Sequence, residues 1–285
     1  MLRTVAAAEP RSSAAAMSLK HCLITPINDV QVPAPRSGLL TEIQVREGAR
    51  IAKNDALAQL DDTDARIKLR SAQAERDAAA ARAQSELDVR YAQATYAVAE
   101  AEHRISVQVN ERQPNSVSLV EVERQRLTAE QAALKIELGK HERAVRIIES
   151  GASKAKAESA ENDVRLHRIL APLDGEVTEI YGQAGEWVEA GKPVMRVVRL
   201  DRLRVEGFVK VRDWLPGELA GRQVQVRVTL ARGDVREFTG KITYVSSIVQ
   251  AGGDYSVWAE VDNRREQDQW LLRPGLEAEM SLQDR

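Results

Sequence analysis

Apolar residues recur along this chain with more than one period. Between residues 62 and 168 they return at alternating steps of four and three. Leu87, Tyr91, Ala94, Val98, Ala101 and Ile105 form one series, and Leu127, Gln131, Leu134, Leu138, His141, Val145, Ile148, Ala152 and Ala155 a second. A 3.5-residue step is that of a coiled-coil seam, so the pattern predicts two long helices whose seams face each other. Pro114 cannot sit inside a helix and is followed by Asn115 and Ser116, which puts the reversal near Arg112 to Ser118, with Ser116 or Ser118 capping the returning helix. At about 50 residues per arm and 1.5 Å per residue, the hairpin is predicted to project roughly 75 Å. Asp61, Asp62 and Asp64 suit the N-terminus of its first helix, and Gly151 with the weakly hydrophobic stretch Ser150 to Ala160 predicts a bend or fray in the second arm. After Arg199 the period becomes two: Val224, Val226, Val228 and Leu230 alternate with polar residues, and shorter alternations run over Val205 to Val211, Phe238 to Tyr244, Val257 to Val261 and Ala278 to Leu282. Five or six such strands, the last preceded by the turn Arg273-Pro274-Gly275, predict a small β-barrel.

The segments that flank the helical stretch are copies of each other. Residues 34–60 align with 171–197 without a gap, and seven of 27 positions are identical: Ala34/Ala171, Pro35/Pro172, Gly38/Gly175, Thr41/Thr178, Glu42/Glu179, Ile43/Ile180 and Gly48/Gly185. Composition alone gives roughly one or two matches. Gly38, Gly48, Gly175, Gly185 and, in the later turn, Gly275 are expected at turns that need positive φ, and Asn54 stands opposite Gly191 for the same reason. A repeat of this size cannot bury a core by itself. The two copies are therefore expected to fold together as one β-sandwich, from which the helical hairpin leaves and to which it returns.

Composition narrows the function. The chain has 285 residues, 41 Lys and Arg against 43 Asp and Glu, and a formal net charge of −2, so nucleic acid is not an expected partner. Nine of its eleven aromatic residues follow Arg168, so truncating the barrel aromatics is expected to unfold that domain while the hairpin manages without such anchors. The lone Cys22 lies in an apolar run and reads as a small buried hydrophobe. The four histidines never fall three or four apart, Gly185 to Lys192 has the wrong spacing for a phosphate loop, and no nucleophile elbow occurs. The expectation is a protein without catalysis, metal or cofactor. No apolar stretch reaches the ~20 residues of a membrane-spanning helix, and residues 1–18 read as a disordered leader with no signal peptide.

Ala34-Pro35-Arg36-Ser37-Gly38 with Glu47-Gly48, and Ala171-Pro172-Leu173-Asp174-Gly175 with Ala184-Gly185-Glu186, resemble the two halves of a split biotinyl/lipoyl-like domain. Two such halves, a helical hairpin between them and a following barrel with Val261-Asp262-Asn263 and Leu272-Arg273-Pro274-Gly275 resemble the membrane fusion protein family, the periplasmic adaptors of bacterial efflux pumps and type I secretion systems, over about residues 20–285. The resemblance implies an α+β fold: a leader over 1–18, the first sandwich half with an N-terminal strand over 19–61, a coiled-coil hairpin over 62–168 with its tip near 112–118, the second half over 169–200 and the barrel over 201–285. It further implies a homo-oligomer, a ring of six, on the periplasmic side of the inner membrane. That ring would join an inner-membrane transporter of ABC, RND or MFS type to an outer-membrane channel, with the hairpin tip docking on the channel. The tip residues are Arg112, Asn115, Val117, Ser118 and Leu119, of which Val117 and Leu119 are expected to be exposed; their order departs from the family's docking pattern, so the tip carries over as a region. That no anchor helix, lipoprotein cysteine or membrane-proximal domain is read from the sequence is a further departure from the family's pattern. A biotin or lipoate carrier shares the sandwich, but carriers present their lysine on the hairpin that joins the halves, whereas Lys53 and Lys192 lie elsewhere. A coiled-coil scaffold unconnected with transport is the remaining alternative.

Overall fold

The computed structural model describes residues 18–282, and the predicted leader, apart from Ser18, lies outside them. The chain forms two compact units, one from residues 61–168 and the other from the segments on either side.

In the second of these units the chain runs through β1 (Ser18–Pro26), β2 (Asp29–Pro33), β3 (Gly38–Ile43), β4 (Arg50–Ile51) and β5 (Ala56–Leu60) before the helices. The helical unit comprises α1 (Thr63–Gln84), α2 (Leu87–Arg112) and α3 (Leu119–Arg165). The chain then re-enters as β6 (Arg168–Leu170), β7 (Gly175–Ile180), β8 (Trp187–Val188) and β9 (Pro193–Val198). It ends with β10 (Arg202–Lys210), the short helix α4 (Pro216–Leu219), β11 (Gln223–Thr229), β12 (Val235–Val245), β13 (Asp254–Asp262), the two-residue strands β14 (Arg265–Glu266) and β15 (Gln269–Trp270), and β16 (Glu277–Leu282).

The internal repeat is realised strand for strand: β3, β4 and β5 begin 137 residues before β7, β8 and β9. The copies exchange their middle strands. The sheets run β2-β9-β7-β4 and β6-β5-β3-β8, so β4 of the first copy pairs with β7 of the second and β8 of the second with β3 of the first. Equivalent bonds tie the copies together: Asn54 N–H donates to the Ala171 carbonyl (2.8 Å) as Gly191 N–H does to that of Ala34 (2.9 Å). Ala34 and Ala171 are both buried, where the sheets meet over Leu40, Leu57, Leu60, Ile169, Val177, Val194 and Val197. Not every repeated glycine serves a turn. Gly48, Gly185 and Gly275 have φ of 80°, 91° and 93°, but Gly38 and Gly175 open strands without positive φ, contrary to expectation. At Gly175 the requirement is space, since a Cβ there would lie 2.6 Å from the Val198 carbonyl oxygen.

The barrel is closed by six strands in the order β1-β10-β13-β12-β11-β16. This corrects the assignment of the N-terminal strand to the sandwich: β1 pairs with β10 and β16, and Cys22 and Ile24 are buried in the barrel core. Five strands leave two edges, and the sixth removes them. Asn263 fastens the exit from the barrel by donating to the carbonyls of Leu200 (2.8 Å) and Leu272 (2.9 Å) and accepting from Leu272 N–H (3.0 Å). The aromatics do not all anchor this core. Tyr255 and Phe238 are buried in it, the Tyr255 hydroxyl donating to the Trp214 carbonyl (2.9 Å), but Phe208 is exposed and Tyr244 packs on Trp258 with ring centres 4.3 Å apart.

The helical unit departs most from expectation. Gly151 interrupts nothing: α3 runs unbroken for 47 residues, about 70 Å at the α-helical rise. The interruption falls in the first arm, where Ser85 takes an extended conformation (φ −67°, ψ 124°) between α1 and α2. The seam is also another one. Its inward positions are Ala65, Ala72, Ala79 and Ala83 on α1, Ala92, Ala99 and Ser106 on α2, and Ala129, Ala132, Gly139 and Ala157 on α3. Small side chains let the backbones approach closely, and Val89 fills the space beside Gly139. Counting back at 3.5 residues, Ala92 sits one residue early relative to the series of α1, so the break at Ser85 and Glu86 resets the register against an uninterrupted α3.

Candidate docking surfaces

The large apolar side chains predicted to form the seam face outward. On α2, Leu87 is 70% and Tyr91 77% exposed, with Val98 and Ile105 beyond them; on α3, Ile148 is 72% exposed, with Leu127, Leu134, Leu138 and Val145 along the same stripe. In heptad notation, with the small seam residues at a and d, both stripes occupy c and f, about 150° around each helix from the seam. They therefore lie on the two outer edges of the hairpin.

Two arginines occupy inward positions of α3 where the first arm breaks. Arg143 pairs with Glu86 at 2.7 Å and Arg146 with Asp88 at 2.9 Å. Alanine-sized packing has no room for a guanidinium, and the opening at Ser85 and Glu86 brings both carboxylates to them.

At the tip, α2 ends at Arg112, which is exposed, and the loop turns through Asn115 at φ 66°. Ser116 donates its hydroxyl to the Gln113 carbonyl at 2.8 Å. Ser118 takes the N-cap position of α3, but its hydroxyl makes no capping bond. Leu119 and Val120 open the helix, each 79% exposed. Val117 is half-buried, which corrects its predicted exposure: the side chain of Asn110 holds its backbone. Neither Asn110 nor Val120 was singled out from the sequence. An asparagine at the end of a helix followed seven residues later by Val117 and then by the apolar pair Leu119-Val120 is the only signal, and it is a weak one.

Between sandwich and barrel lies an open cleft of about 960 Å³ that holds two ion-paired arginines. Arg196 binds Asp29 (2.6 Å) and Glu179 (2.8 Å), and Arg50 binds Asp268 (2.7 Å). The Arg196 hydrogen bond, outweighing partial burial, holds the Asp29 carboxyl below its usual range. Burial pushes the Cys22 thiol up to about 11, which leaves it protonated and unreactive at neutral pH. Among the described residues no group of three or more His, Cys, Asp or Glu is placed to hold a metal ion, and no helix is long and apolar enough to cross a membrane.

Residues 28–200, from the start of the sandwich through the hairpin to its close, match the family model described as "RND MFP, barrel-sandwich hybrid domain". The chain belongs to the RND membrane fusion protein family. Members are adaptor proteins of efflux and secretion systems, which oligomerise and work with inner-membrane transporters and outer-membrane channels. Solved membrane fusion proteins share the fold. MacA from Actinobacillus actinomycetemcomitans is 20% identical with a TM-score of 0.65, over 94% of this chain and 78% of that one. The membrane fusion protein Spr0693 from Streptococcus pneumoniae R6 is 18% identical with a TM-score of 0.54, over 95% of this chain and 99% of that one. A putative efflux transporter from Bacteroides eggerthii gives 19% and 0.54, over 99% of this chain and 73% of that one. No curated protein matches the sequence. In this membrane fusion protein the outward stripes and the tip are exposed apolar surfaces, and the one cysteine is buried.

Proposed function

We propose that this membrane fusion protein is a periplasmic adaptor that assembles into a ring, its hairpins side by side, and joins an inner-membrane transporter of ABC, RND or MFS type to an outer-membrane channel at the hairpin tips. The observation that carries this reading is the pair of outward apolar stripes. Nine large apolar side chains at regular heptad positions, Leu87, Tyr91, Val98 and Ile105 on one edge and Leu127, Leu134, Leu138, Val145 and Ile148 on the other, are more than a solitary hairpin needs in water. Because the two edges differ, the α2 edge of one copy meets the α3 edge of the next. Such a head-to-tail contact generates a closed ring when its rotation closes, and six copies is the ring size we favour. Each copy then contributes one tip, where Arg112, Asn115, Ser118, Leu119 and the adjacent Val120 form the channel-docking region. At the barrel, exposed Phe208, Leu215, Ile248 and Val249 lie toward the end of β10 and in the loops beyond it and β12, remote from the linkers to the sandwich, and support contact with the transporter there.

Native mass spectrometry of the full chain and of Leu134→Glu/Leu138→Glu tests this. The wild type should form a discrete oligomer of defined stoichiometry, and the variant should be monomeric with unchanged helicity. A wild type that stays monomeric at every concentration reached, and that leaves transport unaffected in a host lacking its own adaptor, overturns the proposal.

A further inference from the structure

The reversal at the hairpin tip is built around one side chain. Asn110, half-buried in the last full turn of α2, donates from Nδ2 to the Val117 carbonyl at 2.9 Å and accepts the Val117 N–H at Oδ1 at 2.8 Å. A primary amide does both at once through separate atoms, as one peptide does to another across a β-ladder. The other hydrogen bonds of the tip are local to one side of it. Gln113 N–H donates to Val109 at the end of α2, Ser116 to Gln113 within the loop, and Glu121 and Val122 to Ser118 at the start of α3. Among the described residues, the Asn110 pair is what joins α2 to the segment entering α3.

That segment needs it. The N-cap Ser118 makes no side-chain bond to the first turn of α3, so the turn that carries Leu119 and Val120 lacks the usual restraint on fraying. With Val117 fixed from α2, Ser118 and the first turn are held from the residue before the cap instead. The exposed Leu119–Val120 pair is thereby presented in one arrangement, with its ordering entropy already spent before a partner arrives.

We infer that Asn110 is a positioning residue of the docking tip: its amide holds Val117 so that Leu119 and Val120 stand preformed for an apolar socket on the partner. The inference rests on the reading that the tip docks, and the experiment separates the two. Full-length Asn110→Asp, Asn110→Leu and Leu119→Asp are compared with the wild type in three measurements: far-UV circular dichroism on heating, amide hydrogen exchange across 113–122, and protection of a host lacking its own adaptor against whichever of a panel of dyes, detergents and metal salts the wild type protects against. Both Asn110 variants should keep the helicity and midpoint of the hairpin. The Val117 amide should exchange about tenfold faster in Asn110→Leu, as expected for losing one net hydrogen bond, and by less in Asn110→Asp, which still accepts but cannot donate. Protection should fall in the same order. Unchanged exchange at Val117 in Asn110→Leu overturns the inference. So does faster exchange with full protection while Leu119→Asp abolishes it, and in that case tip docking stands. Full protection by Leu119→Asp overturns tip docking and the inference with it.

Discussion

The choice of seam in the hairpin can be tested by two substitutions with opposite expectations. Ala132 is 5% and Leu134 60% exposed, two positions apart on the same helix. If the small residues form the seam, Ala132→Leu forces a large side chain between closely spaced backbones, and overpacking of that kind costs about 1–3 kcal/mol. Leu134→Ala removes a side chain that keeps less than half of its surface from water, so its cost is well below the 2–5 kcal/mol of a buried Leu→Ala, about 1 kcal/mol or less. For a unit of this size 1 kcal/mol moves the melting midpoint by about 4–8 °C. Thermal unfolding followed by circular dichroism at 222 nm, under dilute conditions that keep the chain monomeric, should therefore show Ala132→Leu melting clearly lower and Leu134→Ala close to the wild type. The reverse order, with Leu134→Ala the more damaging, would mean that the large residues pack between the arms and that the outward stripes do not exist.

Two further outcomes follow from the same structure. Inserting one alanine between Ser85 and Glu86, with Arg143 and Arg146 both changed to Ala because the closed seam has no room for them, puts Val89 and Ala92 into continuous heptad step with Ala79 and Ala83; helicity should rise and the hairpin gain about 1 kcal/mol as two helix ends are removed, and a fall in either would show that the break is needed for packing. The folded-state pKa of Asp29 is depressed by Arg196, so its contribution to stability is present above the ordinary carboxylate value and is lost as pH falls through the folded one. The stability difference between the wild type and Asp29→Asn, read from urea titrations, should accordingly be constant near neutrality and shrink below about pH 4; a difference that grows on acidification would contradict the assigned pairing.

The order of parts was legible in the residues because each rests on a local rule. Ala34-Pro35 and Ala171-Pro172 open copies whose strands start at equal offsets, and equal local sequence means equal turns. Pro114 marks the reversal because its ring excludes the helix. Alternation from Val224 to Leu230 marks a barrel strand because a pleat puts successive residues on opposite faces. Three features escaped such rules. The strand containing Cys22 looks like any half-buried strand, and only the need for a sixth barrel member decides its partners. Gly151 lies on an exposed side of α3 with open space where a Cβ would be, so α3 is held by the packing of Ala157 and its neighbours and tolerates the glycine. Asn110 is an ordinary helix residue until the chain folds back seven positions later.

By itself the sequence settled the split repeat, the two helical arms and the alternating strands, all of which depend on neighbours within a few residues. Which face of each arm turns inward was a tertiary decision. Periodicity tells which residues share a face, and here two faces of each arm carry a 3.5-residue series, one of leucine-sized and one of alanine-sized side chains. Close approach of two backbones favours the small one, and that leaves the larger, more hydrophobic series on the outside, exposed along each arm.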